Sequence, residues 1–184
     1  MSNLFVKENV NEKEYFIHQW VYYLIKNNSN SEQSWALRQN NFGAFCREEL
    51  IDDIKYWELV AKILEANPLA KFHYCGRKSI HTKWIDIFQI NPGQINFLGW
   101  LNRPHEAMRG MACILDTFGM RHGSLLFEAL AIKIPIAIPA VENNHNGLQA
   151  YYEHIKNKSL CEDPMSLSGF NQIDEGLKIV TKLI

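Results

Sequence analysis

The sequence lacks the charge excess that marks several large classes of protein. Lys and Arg total 19 and Asp and Glu total 20, so the formal net charge is -1. Dedicated nucleic-acid-binding domains and polybasic membrane anchors both depend on a basic excess. We therefore expect neither a nucleic-acid partner nor an electrostatic membrane anchor.

Cysteine is scarce and scattered. The four cysteines are Cys46, Cys75, Cys113 and Cys161, and none of them forms a CxxC pair. Thiolate zinc sites and the disulfide frameworks of small secreted domains both need clustered cysteines. The seven histidines are equally dispersed along the chain. We expect reduced, buried thiols and no metal site.

Long hydrophobic runs are also missing. The longest apolar run, Ile134–Val141, contains two prolines and is much shorter than a membrane-spanning helix. The segment Met1–Glu8 has no basic stretch followed by an apolar one, as a signal peptide would. The sequence therefore predicts a cytoplasmic chain without a membrane span.

The common nucleotide-binding fingerprints are absent. No GxGxxG motif occurs, and Gly76–Ser79 imitates only the end of a P-loop, because Lys71 stands where that motif requires glycine. Neither NAD binding nor ATPase activity has local support. We expect no cofactor.

The first 35 residues have a pattern of their own. Aromatic and apolar residues recur at helical spacing between Glu12 and Lys26, and the polar run Asn27–Ser31 follows. The pattern predicts an amphipathic helix and a linker over residues 1–35. The aromatic face of this helix must pack either on the rest of the chain or on a missing neighbour.

Short apolar runs alternate with amphipathic stretches over residues 36–184. The predicted strands are Asn41–Cys46, Ala70–Cys75, Gln94–Gly99, Ala112–Thr117 and Ile134–Pro139. The clearest predicted helix is Glu49–Ala66, and Asn67–Pro68 ends it. Parallel strands need crossover connections, which are usually helical. The predicted fold class is therefore α/β, with a parallel sheet flanked by helices and preceded by an N-terminal helix.

The loop after the fourth predicted strand is the richest in functional groups. Ligands of open parallel sheets bind at the carboxyl ends of the strands. Ser124 is a candidate helix N-cap, and Gly123 allows a ligand to approach the backbone. A helix N-terminus attracts phosphate, and the Glu128 carboxylate, about one turn later, can reach back to the same place. This pattern suits a nucleotide, although an ordinary capped helix with a solvated Glu would also explain it.

Four segments carry a resemblance to a known family. They are Phe42–Arg47, Asn67–Gly76, Ile95–Trp100, and Ile114–Thr117 with His122–Pro135. In this order they resemble the C-terminal, nucleotide-sugar-binding lobe of GT-B glycosyltransferases. The resemblance is nearest to the O-GlcNAc-transferase-like and HMW1C-like branch. It implies a single Rossmann-like lobe over residues 36–184.

The resemblance also implies a substrate and a set of binding residues. The substrate would be a nucleotide sugar, most often UDP-linked, whose sugar is transferred to an acceptor. The implied binding residues are Arg47, Gly76, Trp100, Leu101, Thr117, Gly123, Ser124, Leu125 and Glu128. Arg47 would face the diphosphate or the uridine, the backbone near Trp100 would read the base edge, and Glu128 would hold the ribose hydroxyls. The residues Gly123–Leu125 would offer backbone or hydroxyl groups to the diphosphate.

The sequence departs from the family pattern in ways that leave alternatives open. Leu50 stands where many relatives have a diphosphate-binding Lys, and Lys133 stands where Gly is frequent. A GT-B enzyme has two lobes, and this chain has room for one, so a second lobe or subunit is an expected partner. The catalytic group is unknown; His122 is a candidate, although a histidine that packs in the loop or faces solvent would also explain it. A non-catalytic interaction module and a nucleotide-sugar epimerase-like enzyme are the alternatives.

Overall fold

The computed structural model describes residues 3–7, 14–18, 38–118, 128–129, 132, 134–139, 167–170 and 172–184. The strands are β1 (Asn3–Lys7), β2 (Glu14–His18), β3 (Asn41–Ala44), β4 (Lys71–Tyr74), β5 (Ile95–Phe97), β6 (Cys113–Leu115), β7 (Ile136–Pro139) and β8 (Leu167–Phe170). The helices are α1 (Ile54–Ala66), α2 (His81–Phe88), α3 (Pro104–Met108) and α4 (Ile173–Leu183). Short 3-10 turns cover Glu48–Leu50 and Pro92–Gln94.

Strands β3 to β8 form one parallel, six-stranded sheet in the order β5-β4-β3-β6-β7-β8. The chain builds outward from β3 to β5, returns to the other side of β3 for β6, and then builds outward again. The order therefore reverses between β3 and β6, which makes this pair the switch point of the sheet. The predicted α/β class with a Rossmann-like parallel sheet is confirmed.

Helix α1 supplies the core on one face of the sheet. Asp53 caps it by accepting hydrogen bonds from the backbone N–H groups of Lys55 and Tyr56 at 2.9 and 3.0 Å. The fully buried Trp57 ring packs edge-on against Phe72 of β4, with ring centroids 5.5 Å apart. Burying an aromatic side chain of this size stabilises the fold by roughly 1.5–3 kcal/mol.

Helix α4 packs beside α1 and connects the end of the chain to the start of the sheet. Lys62 on α1 contacts Asp174 on α4 at 3.4 Å. The carbonyl of Ile184 accepts a hydrogen bond from the backbone N–H of Asn40, just before β3, at 3.1 Å. Val180 is fully buried in the same cluster as α1 and the central strands. This helix therefore belongs to the core of the lobe.

The predicted N-terminal helix is wrong over the residues that the structure describes. Strand β2 pairs antiparallel with β1, and Phe5 stands opposite Phe16. Aromatic and β-branched side chains such as Phe16 and Ile17 favour strands, and a cross-strand partner stabilises them further. Helical spacing within one segment carries no information about such a partner. The rest of the predicted helix and linker lies outside the described residues.

The five predicted strands of the lobe are present and shorter than predicted. Four of them end early, where their last residues turn into the loops at the carboxyl edge, whereas β7 begins two residues later than predicted. Pro135 directly precedes β7, as its missing N–H requires, and its carbonyl accepts a hydrogen bond from Ile114 at 2.8 Å. Strand β8 was not predicted. Among the described helices, none is both long and apolar enough to cross a membrane.

Candidate functional site

The carboxyl ends of four neighbouring strands bring several predicted binding residues to one edge of the sheet. Arg47 follows β3, Gly76 follows β4, Trp100 and Leu101 follow β5, and Thr117 follows β6. Because the strands are parallel, their carboxyl ends lie along the same edge. This edge includes the switch point between β3 and β6, where ligands of open α/β sheets bind. We call it the switch edge.

Glu48 joins two loops of the switch edge. Its side chain is buried, with 2% of the residue exposed. Its Oε2 accepts a hydrogen bond from the backbone N–H of Arg77 at 2.9 Å. Burial alone would raise the pKa of this carboxyl, but the backbone N–H groups of Arg77, Glu48 and Lys78 hold the pKa below its ordinary value. Glu48 is therefore an ionised, buried connector that the sequence analysis missed.

Gly76 makes this connection sterically feasible. A Cβ atom at this position would lie 2.6 Å from Oε2 of Glu48 and 3.0 Å from its Cβ. The N–H of Gly76 donates to the carbonyl of Gly99 at 3.0 Å, which ties the loop after β4 to the loop after β5. Gly76 thus lies in the loop after β4, at the switch edge. Its contacts in the described chain are with these neighbouring loops.

Basic side chains line the same edge. Arg47 is exposed at the start of the Glu48–Leu50 turn, and no hydrogen bond or ion pair joins its side chain to another residue in the described part of the chain. The Arg77 guanidinium lies 5.4 Å from the centroid of the Trp100 ring, in cation–π contact. Trp100 is 60% exposed. In the described part of the chain, the edge therefore offers an exposed cation to an anionic group and an aromatic surface on which a ring can stack.

Leu50 stands where the predicted family resemblance would place a Lys. The side chain is half-buried and packs against the main core cluster. It therefore contributes apolar packing where a relative would contribute charge. Arg77 and Lys78 are exposed at the same edge and can supply positive charge. Arg121, another basic residue in the sequence after β6, lies outside the described residues.

The end of β6 is fixed by backbone hydrogen bonds. The N–H of Asp116 donates to the carbonyl of Ala137 in β7 at 2.9 Å. The hydroxyl of Tyr56 on α1 donates to the carbonyl of Leu115 at 3.0 Å. Asp116 and Thr117 are both buried. The backbone that leads into the richest predicted loop is therefore held rigidly.

Glu128 is the most unusual titratable residue of the site. The residue is 5% exposed, and its Oε2 has no hydrogen-bond partner in the described part of the chain. Burial raises the pKa of this carboxyl to about 7. Oε2 lies 3.5 Å from Nδ1 of His105 on α3. Burial lowers the pKa of His105.

The pairing of His105 with Glu128 was not predicted. Helix α3 precedes β6 and Glu128 follows it, so the two side chains approach each other only in the folded sheet. No spacing rule connects them in the sequence. Gly123, Ser124, Leu125 and the candidate catalytic residue His122 lie outside the described residues.

The thiols at the switch edge are buried and protonated. Cys46 and Cys75 are free and buried, and the Cys75 thiol donates to the carbonyl of Cys46 at 3.7 Å. Burial raises the pKa of Cys75 to about 11 and that of Cys46 well above its ordinary value. A thiol is a poor nucleophile in this state. The prediction of buried, reduced thiols is confirmed for these two residues and for Cys113.

Metal binding finds no support in the described ranges. No group of three or more His, Cys, Asp or Glu side chains in them could hold a metal ion. His73 and His81 instead form hydrogen bonds to other side chains. His73, for example, lies 2.9 Å from the side-chain oxygen of Asn41.

The fold is shared with glycosyltransferases of known structure. A mutant of the Thermobaculum terrenum O-GlcNAc transferase is 20% identical over 82% of this chain, with a TM-score of 0.61. A mutant of S. aureus TarM, in complex with fondaparinux, alpha-GlcNAc-glycerol and UDP, is 15% identical over 84% of this chain, with a TM-score of 0.60. The pneumococcal O-GlcNAc transferase GtfA, in complex with UDP and GlcNAc, is 14% identical over 79%, with a TM-score of 0.53.

These likenesses establish the fold. The chain matches 29%, 30% and 28% of those three chains, so it spans less than a third of their length. It has the fold of a single lobe of a GT-B glycosyltransferase, which confirms the predicted resemblance at the level of the fold. No protein-family model matches the sequence, and no curated protein matches it.

Proposed function

We propose that the chain is the donor-binding lobe of a glycosyltransferase and binds a UDP-linked sugar. The observation that carries this proposal is the buried Glu128 carboxylate, whose Oε2 lacks a hydrogen-bond partner in the described residues. A buried carboxylate is costly unless hydrogen-bond donors reach its two oxygens, and ribose hydroxyls can supply such donors. Two proteins with the same fold, S. aureus TarM and pneumococcal GtfA, are known in complex with UDP.

The remaining groups of the switch edge suit the rest of a nucleotide sugar. Arg47, Arg77 and Lys78 would offset the charge of a diphosphate. The residues Gly123–Leu125 would add backbone donors, and Trp100 with Leu101 would border the base. In sugar transfer the diphosphate leaves the anomeric carbon as the acceptor attacks. The protein accelerates that step by holding the reactants in position and stabilising the charge that develops on the leaving group.

We propose that a second lobe completes the acceptor site. The chain spans less than a third of the glycosyltransferases whose fold it shares. In the two-lobed GT-B arrangement the acceptor lies between the lobes. His122 would then be the candidate on this side of the cleft for a hydrogen bond to the leaving phosphate or for proton transfer.

Leu50 favours a second candidate function. Its apolar packing removes a cation that many related lobes use to bind the diphosphate. A lobe that had lost nucleotide binding could keep the fold and act as a non-catalytic interaction module. This candidate predicts a tight protein partner and no affinity for nucleotides.

Calorimetric titration of the full chain with UDP, UDP-GlcNAc, GDP and ADP separates the two functions. The donor lobe predicts saturable binding that prefers the uridine nucleotides. Glu128→Gln should weaken it by roughly 1–3 kcal/mol, the cost of losing charged hydrogen bonds. Glu65→Gln, on the exposed end of α1, is the matched control and should leave the affinity unchanged. A folded chain that binds none of the four nucleotides would contradict the donor lobe and support the interaction module.

A further inference from the structure

We propose that His105 is a positioning residue that orients the Glu128 carboxylate toward a ribose diol. The pair, rather than Glu128 alone, would then set the preference for ribonucleotides over deoxyribonucleotides. This inference rests on the proposed function, because it names how the same site recognises the sugar of the nucleotide.

The contact between the two side chains is the starting point. Nδ1 of His105 lies 3.5 Å from Oε2 of Glu128, and the two side chains are 22% and 7% exposed. Oε2 is shielded from solvent and has no hydrogen-bond partner in the described residues. A small rotation of the imidazole would complete a hydrogen bond from Nδ1–H to this oxygen.

The backbone that carries His105 is firmly placed. Pro104 occupies the first turn of α3, where its fixed φ suits a helix. Arg103 and Glu106 form a hydrogen-bonded ion pair at 3.1 Å across this helix start. The N–H of Arg109 donates to the carbonyl of His105 at 3.3 Å, and Met108 is fully buried beneath the helix. The imidazole therefore projects from a fixed position.

The charges around the pair favour a neutral imidazole beside a carboxylate. Burial lowers the pKa of His105; Glu106 opposes this shift, and Arg109 and Arg103 add to it. Burial raises the pKa of Glu128 to about 7. Above that pH the neutral imidazole can donate one hydrogen bond to Oε2. The other carboxylate oxygen, Oε1, is then left to accept from the ribose hydroxyls.

The preference for ribose over deoxyribose follows from this assignment of Oε2 to His105 and Oε1 to the sugar. A carboxylate held by its second oxygen presents Oε1 in one direction, so the loss of the ribose 2′-hydroxyl removes a well-directed hydrogen bond. Without His105 the carboxylate can rotate about its terminal torsion, which is intrinsically soft. Both kinds of nucleotide would then be bound with more nearly equal affinity.

The test compares the dissociation constants of UDP and 2′-deoxy-UDP by calorimetry at about pH 8, where Glu128 is mostly ionised. We expect the unaltered full chain to prefer UDP by about tenfold, the value of one charged hydrogen bond. His105→Ala should reduce this ratio to within about twofold. Glu65→Gln, the exposed control on α1, should keep the ratio.

Two conservative variants keep the test decisive if His105→Ala fails to fold. An Asn side-chain amide can replace Nδ1 of His, whereas a Gln amide reaches the place of Nε2. His105→Asn should therefore retain the preference for UDP, and His105→Gln should lose it. A purely structural role of His105 would not separate these variants by their ratio.

Several outcomes would overturn the inference. If the His105 variants weaken UDP and 2′-deoxy-UDP equally, His105 only supports the fold and the proposed nucleotide site still stands. If Glu128→Gln leaves the ratio unchanged, Glu128 does not bind the ribose 2′-hydroxyl. UDP binding by the unaltered chain would still stand as a separate result. If the unaltered chain binds neither nucleotide, the proposed function fails as well.

Discussion

At the scale of single residues, Glu128 combines a thermodynamic cost with a proposed binding role. Its folded-state pKa of about 7 lies above the ordinary value of 4.5. Between these values the folded chain holds a proton that the unfolded chain has released. The folded state therefore binds more protons, and stability falls as the pH rises through this window.

The stability of a Glu128→Gln variant tests this cost. Gln has nearly the same shape and carries no charge, so we expect the variant to be more stable than the unaltered chain by roughly 1–3 kcal/mol at about pH 8. At about pH 5 the native carboxyl is protonated, and the difference should nearly vanish. Urea unfolding at both pH values measures it. A stability difference of the same size at both would show that ionisation of Glu128 is not its source.

The protonation of Glu128 should also make nucleotide binding depend on pH. If the ribose binds the ionised carboxylate, the free energy of nucleotide binding must include the cost of deprotonating Glu128 below about pH 7. The affinity for UDP-GlcNAc should therefore rise by about tenfold from about pH 6 to about pH 8. The diphosphate diester of this ligand stays fully ionised over that range, so the ligand does not contribute. Calorimetry should show that the affinity of Glu128→Gln for UDP-GlcNAc does not change with pH. If the variant keeps the pH dependence of the unaltered chain, another titrating group is its source.

At the scale of elements, the loops after β3, β4 and β5 are joined to one another. Glu48 accepts from Arg77, and Gly76 donates to Gly99. A Cβ atom at Gly76 would displace the Glu48 carboxylate, since the two would lie 2.6 Å apart. The switch edge thus depends on a small residue in one loop and a buried charge in another.

A double-mutant cycle measures this connection. Gly76→Ala should destabilise the chain by about 1–3 kcal/mol, the usual cost of inserting a methyl group into a packed region. In a Glu48→Ala background the same substitution should cost clearly less, because the carboxylate oxygen that would lie 2.6 Å away is gone and only the Cβ atom at 3.0 Å remains. Urea denaturation of the four proteins gives the coupling energy. Equal costs in both backgrounds would show that the Glu48 side chain does not limit the space at Gly76.

How far the sequence predicts these elements depends on where the contacts lie. Strands such as β7 are apolar because both faces of the sheet are covered, and this leaves a readable run in the chain. The segment Glu14–His18 was misread because its pairing partner, β1, is a separate segment. The contacts of Glu48 with Arg77 and of His105 with Glu128 also cross between elements. No local spacing indicates them.

At the scale of the whole molecule, the core that holds the fold is separate from the exposed cation Arg47 at the switch edge. The core between α1, α4 and the sheet includes the fully buried Val180. Arg47 lies at the switch edge, exposed and without an ion pair in the described part of the chain. A lobe of this kind can therefore vary its ligand chemistry along one edge while its packing stays constant.

Two variants should separate stability from binding. Val180→Ala removes buried methyl groups and should lower the free energy of unfolding by about 1–3 kcal/mol, with the dissociation constant for UDP unchanged. Arg47→Ala should leave the thermal midpoint unchanged and weaken UDP binding by about tenfold, since a charged contact to phosphate is lost. Its affinity should also depend less on salt, because one cation no longer contributes. Thermal unfolding and calorimetry on the same preparations measure both quantities. An Arg47→Ala variant that binds UDP normally would remove this residue from the site, and a Val180→Ala variant with weakened binding would show that core and switch edge are coupled.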